Sequence, residues 1–325
     1  MLATGVFFLT LGEFCLYLGL GWSLRREHHL PLWELAALAL VIAVAIRAAI
    51  TAYLFAVTEF HRSPRPPQAR LSPFAALGLF LRELLALSSL YTTVHTLDRW
   101  LGLRDPPLQP GDSRPPVLLL HGFFCNSAFW WILRRQLLRA GYANVYTQTL
   151  EPVFGDIEDL GEQVAARVDS ICEQTRTRRL VIVGHSMGGL AARAYLRKHG
   201  AERVLKLIAV GTPHHGTAHA RALSLVGRNL RQMRLDSRWL AELNRTPPPL
   251  PITNIWSYHD NIVSPQDSCT LPGAKNIALA GVGHLEMAIA PRVRSLIVQE
   301  IGSAEAPART QPRRQAAPLI QSLEA

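Results

Sequence analysis

Cysteine is scarce and scattered. The four in the chain, Cys15, Cys125, Cys172 and Cys269, form no Cys-x-x-Cys pair, so neither a disulfide framework nor a thiolate metal site is expected and the thiols read as free. No zinc-ligand spacing, helix-turn-helix or RNA-binding aromatic pattern is present, which argues against nucleic acid as a partner despite a net charge of +10. Acidic residues are in deficit, 24 Asp and Glu against 34 Lys and Arg. Such a surplus suits a solvated, arginine-rich surface. It also suits a position beside anionic lipid headgroups, where each basic residue gains about 1 kcal/mol. Charge of either sign is almost missing from residues 2–24 and 32–57, where Glu13, Glu34 and Arg47 are the exceptions.

Each of these two apolar stretches is long enough to cross about 30 Å of hydrocarbon as a helix, which takes about 20 residues. Between them lies the polar turn Arg25-Arg26-Glu27-His28-His29, closed by Pro31. Residues 1–60 are therefore expected to form a transmembrane helical hairpin. The first stretch has no basic leader and no small-x-small cleavage site before the second, so it reads as retained. Glu13 and Arg47 fall at matching depths of an antiparallel hairpin. A lone charge there costs at least ~2.5 kcal/mol, so the two are expected to pair, the alternative being that each snorkels or meets a partner protein. Arg62, Arg65 and Arg70 after the second stretch outnumber Arg25 and Arg26 in the turn, a lean towards a cytoplasmic side for the rest of the chain.

Residues 61–114 read as linker. Residues 61–73 are stiffened by proline. Residues 74–100 show a helical pattern broken by Arg82, Glu83, His95 and Asp98, expected to lie on the membrane or on the following domain. Residues 104–116, rich in Pro, Gly and Asp, form a second linker. Beyond it, strand patterns at 117–120, 144–150, 180–183, 204–210, 252–257 and 276–279 alternate with helical patterns at 127–140, 156–175, 187–199 and 285–301. Ser127 is the expected cap of the first of these helices. This alternation predicts an α/β fold for residues 115–302, with a mostly parallel sheet and helices on both faces. Ligands in such sheets bind outside the C-terminal strand ends. Residues 217–250 form an amphipathic insertion, either a lid or ordinary packing helices. Residues 303–325 are expected to be disordered.

The chemistry gathers at those strand ends. Gly184-His185-Ser186-Met187-Gly188 is Gly-x-Ser-x-Gly with a strand before it and a helix after it. The turn strains the serine backbone, leaves room only for glycine-sized neighbours, and lifts the hydroxyl over the sheet edge. The helix N-terminus brings the Met187 N–H to where an oxyanion would develop. A serine hydroxyl needs a base. His284, in Ala280-Gly281-Val282-Gly283-His284, can fold back across the edge, and Asp260 follows the preceding strand as the orienting acid, with Asp267 as the alternative. The second oxyanion donor is expected to be the N–H of Phe123, after His121-Gly122. His121 reads as a structural hydrogen-bonding residue. Phe123, Phe124 and His185 are candidates for lining a substrate pocket, whereas Phe129, Trp130 and Trp131 read mainly as core of the first helix. His214 and His215 read as loop residues rather than metal ligands.

These segments, together with Gly211-Thr212-Pro213-His214-His215-Gly216-Thr217, stand in an order that resembles bacterial triacylglycerol lipases. They are similar also to the lipase-like domain of GPI inositol-deacylase proteins, over about residues 115–300. The resemblance implies an α/β-hydrolase fold with Ser186 as nucleophile, Asp260 and His284 as its partners, and backbone oxyanion donors at Phe123 and Met187. It calls for no cofactor. The aspartates of the calcium site found in some lipases cannot be matched, so no metal is expected. The expected function is a membrane-anchored serine ester hydrolase acting on a lipid or lipophilic ester from the bilayer. The alternatives are an acyltransferase working through the same acyl-enzyme, and a non-catalytic, membrane-anchored binding protein of the same fold.

Overall fold

Uninterrupted runs of Val, Ile and Leu make strands that can be buried on both faces, and a parallel sheet sandwiched between helices needs such strands. The computed structural model describes residues 2–28, 31–98, 105–107, 112–247, 250–304 and 319–320. Among the described residues seven strands form one sheet: β1 (Val117–Leu120), β2 (Val145–Gln148), β3 (Leu180–His185), β4 (Val204–Val210), β5 (Ile252–Ser257), β6 (Lys275–Leu279) and β7 (Leu319–Ile320). Their order is β2-β1-β3-β4-β5-β6-β7 and every neighbouring pair is parallel. The chain leaves β1 first to one side and then to the other, so a crevice opens between the ends of β1 and β3.

Alternate residues of one strand enter opposite cores. Val181 and Val183 join the core that also holds Leu133 and Leu137 of α4 (Trp131–Arg139). Leu180 and Ile182 join the other, with Val164 and Val168 of α5 (Ile157–Thr175) and Leu190 of α6 (Met187–His199). The insertion folds into three short helices, α7 (His219–Ala222), α8 (Arg228–Gln232) and α9 (Arg238–Arg245). Leu230, Met233, Leu240 and Leu243 from this insertion are buried in the second core, so part of it packs while its outer surface stays exposed.

Two expectations need correction. The cap of the first helical turn is Asn126, whose side chain accepts the Ala128 N–H, and not Ser127, because a 3-10 turn starts the element one residue early. The predicted helix 285–301 is divided: a 3-10 turn, Glu286–Ala288, precedes α10 (Pro291–Gly302), since Pro291 has no N–H to continue a helix and suits a first position. The expected disordered tail, residues 303–325, lies mostly outside the described residues; within it Leu319–Ile320 pair with Ile277 and Ala278 at the edge of β6.

Ahead of the sheet stand α1 (Leu2–His28), α2 (Leu32–His61) and α3 (Pro73–Ser89), the last continuing into a π-helical turn at Leu90–Val94. Leu32–His61 and Pro73–Val94 are both long and apolar enough to cross a membrane. Arg47 grips Glu13 with both forks, Nη1 to Oε1 at 2.7 Å and Nη2 to Oε2 at 2.8 Å. Tyr17 donates to the same Glu13 Oε1 and Arg47 donates to Thr92. On α3, Ser72 caps the helix by accepting the Ala75 N–H. One face of α3 buries Leu79, Glu83 and Ala86; the other exposes Phe74, Leu77, Leu81 and Leu85.

Removing one partner of the bidentate pair strands the other. Arg47→Leu should destabilise the detergent-solubilised protein, by about 2.5 kcal/mol or more if Glu13 sits in an apolar surround. Adding Glu13→Leu should recover most of that loss; thermal unfolding of the two variants checks it.

Candidate active site

Strand β3 runs to His185 and helix α6 starts at Met187, leaving one residue to make the turn. Ser186 makes it at φ 52°, ψ −124°, a conformation that an L-residue adopts only under constraint. The crowding is backbone against backbone. A Cβ at Gly184 would lie 2.6 Å from the Gly189 nitrogen, and one at Gly188 would lie 2.5 Å from the His121 carbonyl oxygen. Gly122 approaches from β1: a Cβ there would sit 2.9 Å from Ser186 Cβ. Phe124, in the turn after Gly122, is also strained, at φ 55°. Two non-glycine residues with positive φ, Phe124 and Ser186, thus stand next in sequence to Phe123 and Met187, whose amides are the candidate oxyanion donors. Phe124 carried no sequence signal for this strain, since glycine is the usual occupant of such a position.

His284 Nδ1 donates to Asp260 Oδ2 at 2.7 Å, with the two side chains 3% and 0% exposed. Asp260 Oδ1 accepts the N–H groups of Ile262 and Val263 at 2.8 and 2.7 Å, so the aspartate closes its own turn and orients the histidine at once. Burial works to lower the His284 pKa, but the charge of Asp260 and its hydrogen bond act the other way, and the net displacement is upward. Nδ1 being the donor, Nε2 is left as the acceptor. Asn261 Oδ1 takes the His284 backbone N–H at 2.9 Å, and His185 Nε2 donates to the His284 carbonyl at 3.2 Å.

The imidazole lies over the ends of β3 and β4. Its ring is 4.5 Å from that of His185, and a Cβ at Gly211 would be 3.3 Å from its Nδ1. The Ser186 N–H is bonded to Val210, one residue before that glycine, at 2.8 Å. Among the described residues no hydrogen bond joins Ser186 Oγ to His284. Contacts of this kind commonly tighten only when substrate is bound.

Other expectations divide. Asp267, the alternative acid, is engaged elsewhere, with Ser63 of the linker at 2.7 Å. His185 does not line a pocket: it is 1% exposed, stacked on Phe129 at 4.3 Å, and supports His284 from below. Burial, and then the neighbouring His284, hold its pKa far below the usual range, so it stays neutral. Phe123 and Phe124 are half-buried with ring centroids 5.9 Å apart, and Phe154 lies 5.7 Å from Phe123, so three aromatic rings cluster after Gly122. Phe129 and Trp130 are core. His121 is structural: Nε2 accepts the Leu150 N–H at 2.9 Å and Nδ1 bonds the Gly122 carbonyl at 2.8 Å. Both nitrogens of buried His214 are occupied, by Arg193 at 3.2 Å and Asn254 at 2.9 Å, which leaves none for a metal.

Two contributions escaped the sequence. One is Asn261, whose role depends on how its loop folds. The other is Glu83 of α3, whose carboxylate reaches the His284 loop from outside the sheet domain. Its signal was present: Glu83 falls at helical spacing with Leu79, Ala86 and Leu90, on the face that is buried.

Replacing Asp260 by Asn removes the charge that opposes burial. The His284 imidazole should then titrate below the ordinary value of about 6.5, and above it in the unaltered chain, as an NMR titration of the ring would read.

Known proteins resemble this chain in sequence and in fold. Triacylglycerol lipases of Pseudarthrobacter phenanthrenivorans and Burkholderia plantarii are each 31% identical to it over 115 residues, 33% of this chain and 36% and 32% of theirs. The chain thus spans about a third of the length of the curated relatives it matches. The mature form of Bacillus licheniformis lipase BlEst2 superposes with a TM-score of 0.54 at 18% identity, over 60% of this chain and 95% of that one. Aspergillus fumigatus lipase B does so with a TM-score of 0.52 at 20% identity, over 61% and 55%. These likenesses support the parallel, doubly covered sheet. The model of the alpha/beta hydrolase family matches residues 117–317, more than half of the chain, and the chain belongs to that family.

Proposed function

We propose that this protein is a membrane-anchored serine hydrolase that cleaves carboxylic esters of lipids through an acyl-enzyme on Ser186. The observation that carries the reading is the buried Asp260–His284 pair, held at the rim of the sheet next to a serine with a strained backbone. Its chemistry is acyl transfer to water. His284 Nε2 takes the proton of Ser186 Oγ as the oxygen attacks the ester carbonyl. Asp260 stabilises the imidazolium that results. The Phe123 and Met187 N–H groups take the oxyanion, helped by the positive end of α6. The tetrahedral adduct collapses, His284 returns the proton to the leaving alcohol, and water repeats the sequence to free the acid.

The lipid part of the reading rests on surface chemistry and on the lipases that match in sequence. Phe154 beside Phe123, and Leu223, Leu225 and Val226 in the insertion, are exposed apolar side chains, Leu225 at 95%. Thr58, near the end of α2, meets His219 of α7 at 2.9 Å, so the insertion adjoins the apolar helices. We assign residues 1–60 to a membrane hairpin and 61–114 to a linker with an interfacial helix. Residues 115–302 form the catalytic domain. The exposed stripe of Phe74, Leu77, Leu81 and Leu85 suits a helix lying at a lipid surface.

A fluorophosphonate probe should label the unaltered chain at Ser186 and fail to label Ser186→Ala, and ester hydrolysis should fall by about 10⁵- to 10⁶-fold in that variant. Asp260→Asn should lower kcat by about 10⁴-fold. Its activity should also persist to lower pH: a raised His284 pKa protonates the base early as pH falls, and loss of the carboxylate reverses that shift. A folded preparation that neither labels nor hydrolyses a p-nitrophenyl acyl ester would sink the proposal.

A further inference from the structure

A carboxylate buried outside the catalytic domain has to have a reason to be there. Glu83 is 1% exposed, on α3, some thirty positions ahead of the family match. Its two oxygens are used separately. Oε1 accepts the Leu285 N–H at 2.9 Å and Oε2 accepts the Glu286 N–H at 2.9 Å, the two amides that directly follow His284. The loop is shaped to admit it, since a Cβ at Gly283 would overlap Glu83 Oε2.

Its neighbour Arg82 grips the same loop from the outside. Arg82 Nε pairs with Glu286 Oε1 at 2.6 Å and Nη2 donates to the Gly281 carbonyl at 2.9 Å, while Glu286 Oε2 accepts the Gly283 N–H at 3.1 Å. Main-chain groups at 281, 283, 285 and 286 are thus all tied into one network that enters from α3. The opposite end of the same helical arm reaches the other rim of the site. His95 Nδ1 bonds Asn126 Oδ1 at 2.7 Å, Asn126 returns a bond to the His95 carbonyl at 3.0 Å, and Tyr91 packs on Phe124 with centroids 6.1 Å apart.

We propose that Glu83, assisted by Arg82, is the positioning residue that fixes the His284 loop, which makes the N-terminal arm a working part of the hydrolase site. The reason is geometric. Asp260 fixes the direction of the imidazole, and Asn261 and His185 hold the backbone at 284 itself, but the turn that follows, after glycines at 281 and 283, needs a hold of its own. Two hydrogen bonds to an acceptor with charge character supply that hold at little cost in bulk. A further effect points the same way. Burial pushes the Glu83 pKa up to about 7, against the pull of the two amides, so it remains partly ionised near neutrality and adds negative charge beside an imidazole that must become cationic.

The proposal rests on the serine-hydrolase reading for its consequence, but one readout does not depend on it. Glu83→Gln keeps the shape and turns an NH2 against one of the two amides. In the full-length protein in detergent, hydrogen exchange at 285 and 286 should quicken by about tenfold or more while the strands stay protected. With a p-nitrophenyl butyrate substrate, kcat should fall by about 10- to 100-fold and KM should hold within about twofold. Arg82→Met alters a half-exposed side chain and should give the same pattern more weakly; it decides the matter if Glu83→Gln does not fold. Unchanged exchange at 285 and 286 overturns the clamp, as does a rise spread evenly over the sheet. A loosened loop with unchanged kcat overturns the positioning role. A loosened loop in a chain with no Ser186-dependent hydrolysis leaves the clamp standing and overturns the hydrolase reading instead.

Discussion

A buried imidazole paired with a buried carboxylate is the interaction on which this site depends. Burial alone would keep the His284 imidazole neutral, and at His121 and His95 it does, lowering each to about 4. Asp260 reverses the outcome at His284 because it is itself fully buried and its other oxygen is satisfied by two backbone amides. A buried carboxylate supplied with hydrogen bonds can hold its charge, and a neighbouring imidazole gains from that charge in proportion to how little water screens it. His185, one ring away, has no such partner and stays neutral.

The second constraint is space around one strained residue. Ser186 can hold its backbone angles only because three strands and a helix N-terminus converge on it, and every approach is made by a glycine: Gly122 from β1, Gly184 and Gly188 on either side, and Gly211 beneath the imidazole. The sheet's order matters here. Because β2 lies on one side of β1 and β3 on the other, the end of β1 and the end of β3 lie side by side where ligands of such sheets bind. The serine backbone is held there by β4, through the bond of its N–H to the Val210 carbonyl, on the side where Gly211 approaches the His284 ring.

The N-terminal region extends this arrangement instead of merely preceding it. Glu13 and Arg47 hold α1 to α2, Thr92 joins their pair to the π-helical turn, and the same arm carries Glu83 to the loop after His284 and His95 to Asn126. Thr58 ties the end of α2 to the insertion. Hydrogen bonds therefore link the apolar helices to the helical arm, and the arm to the two amides that follow His284.

The sequence by itself determined the strands, since β-branched runs buried on both faces have few other uses. It also determined the strained serine, because Gly-x-Ser-x-Gly between a strand and a helix leaves one conformation available. The depth match of Glu13 and Arg47 was legible in the sequence, but snorkelling or a partner protein was an equal alternative there, and the fold decided for the pair. Tertiary structure decided what depends on the arrival of distant segments. Asp260 and Asp267 were alike as loop carboxylates after a strand, and only the course of the chain sent one to His284 and the other to Ser63. His185 was adjacent to the serine in sequence yet points beneath the site, as alternation along β3 requires. Glu83 read as an interruption in an apolar helix. Its meaning came from two amides about two hundred residues away, which local periodicity does not encode.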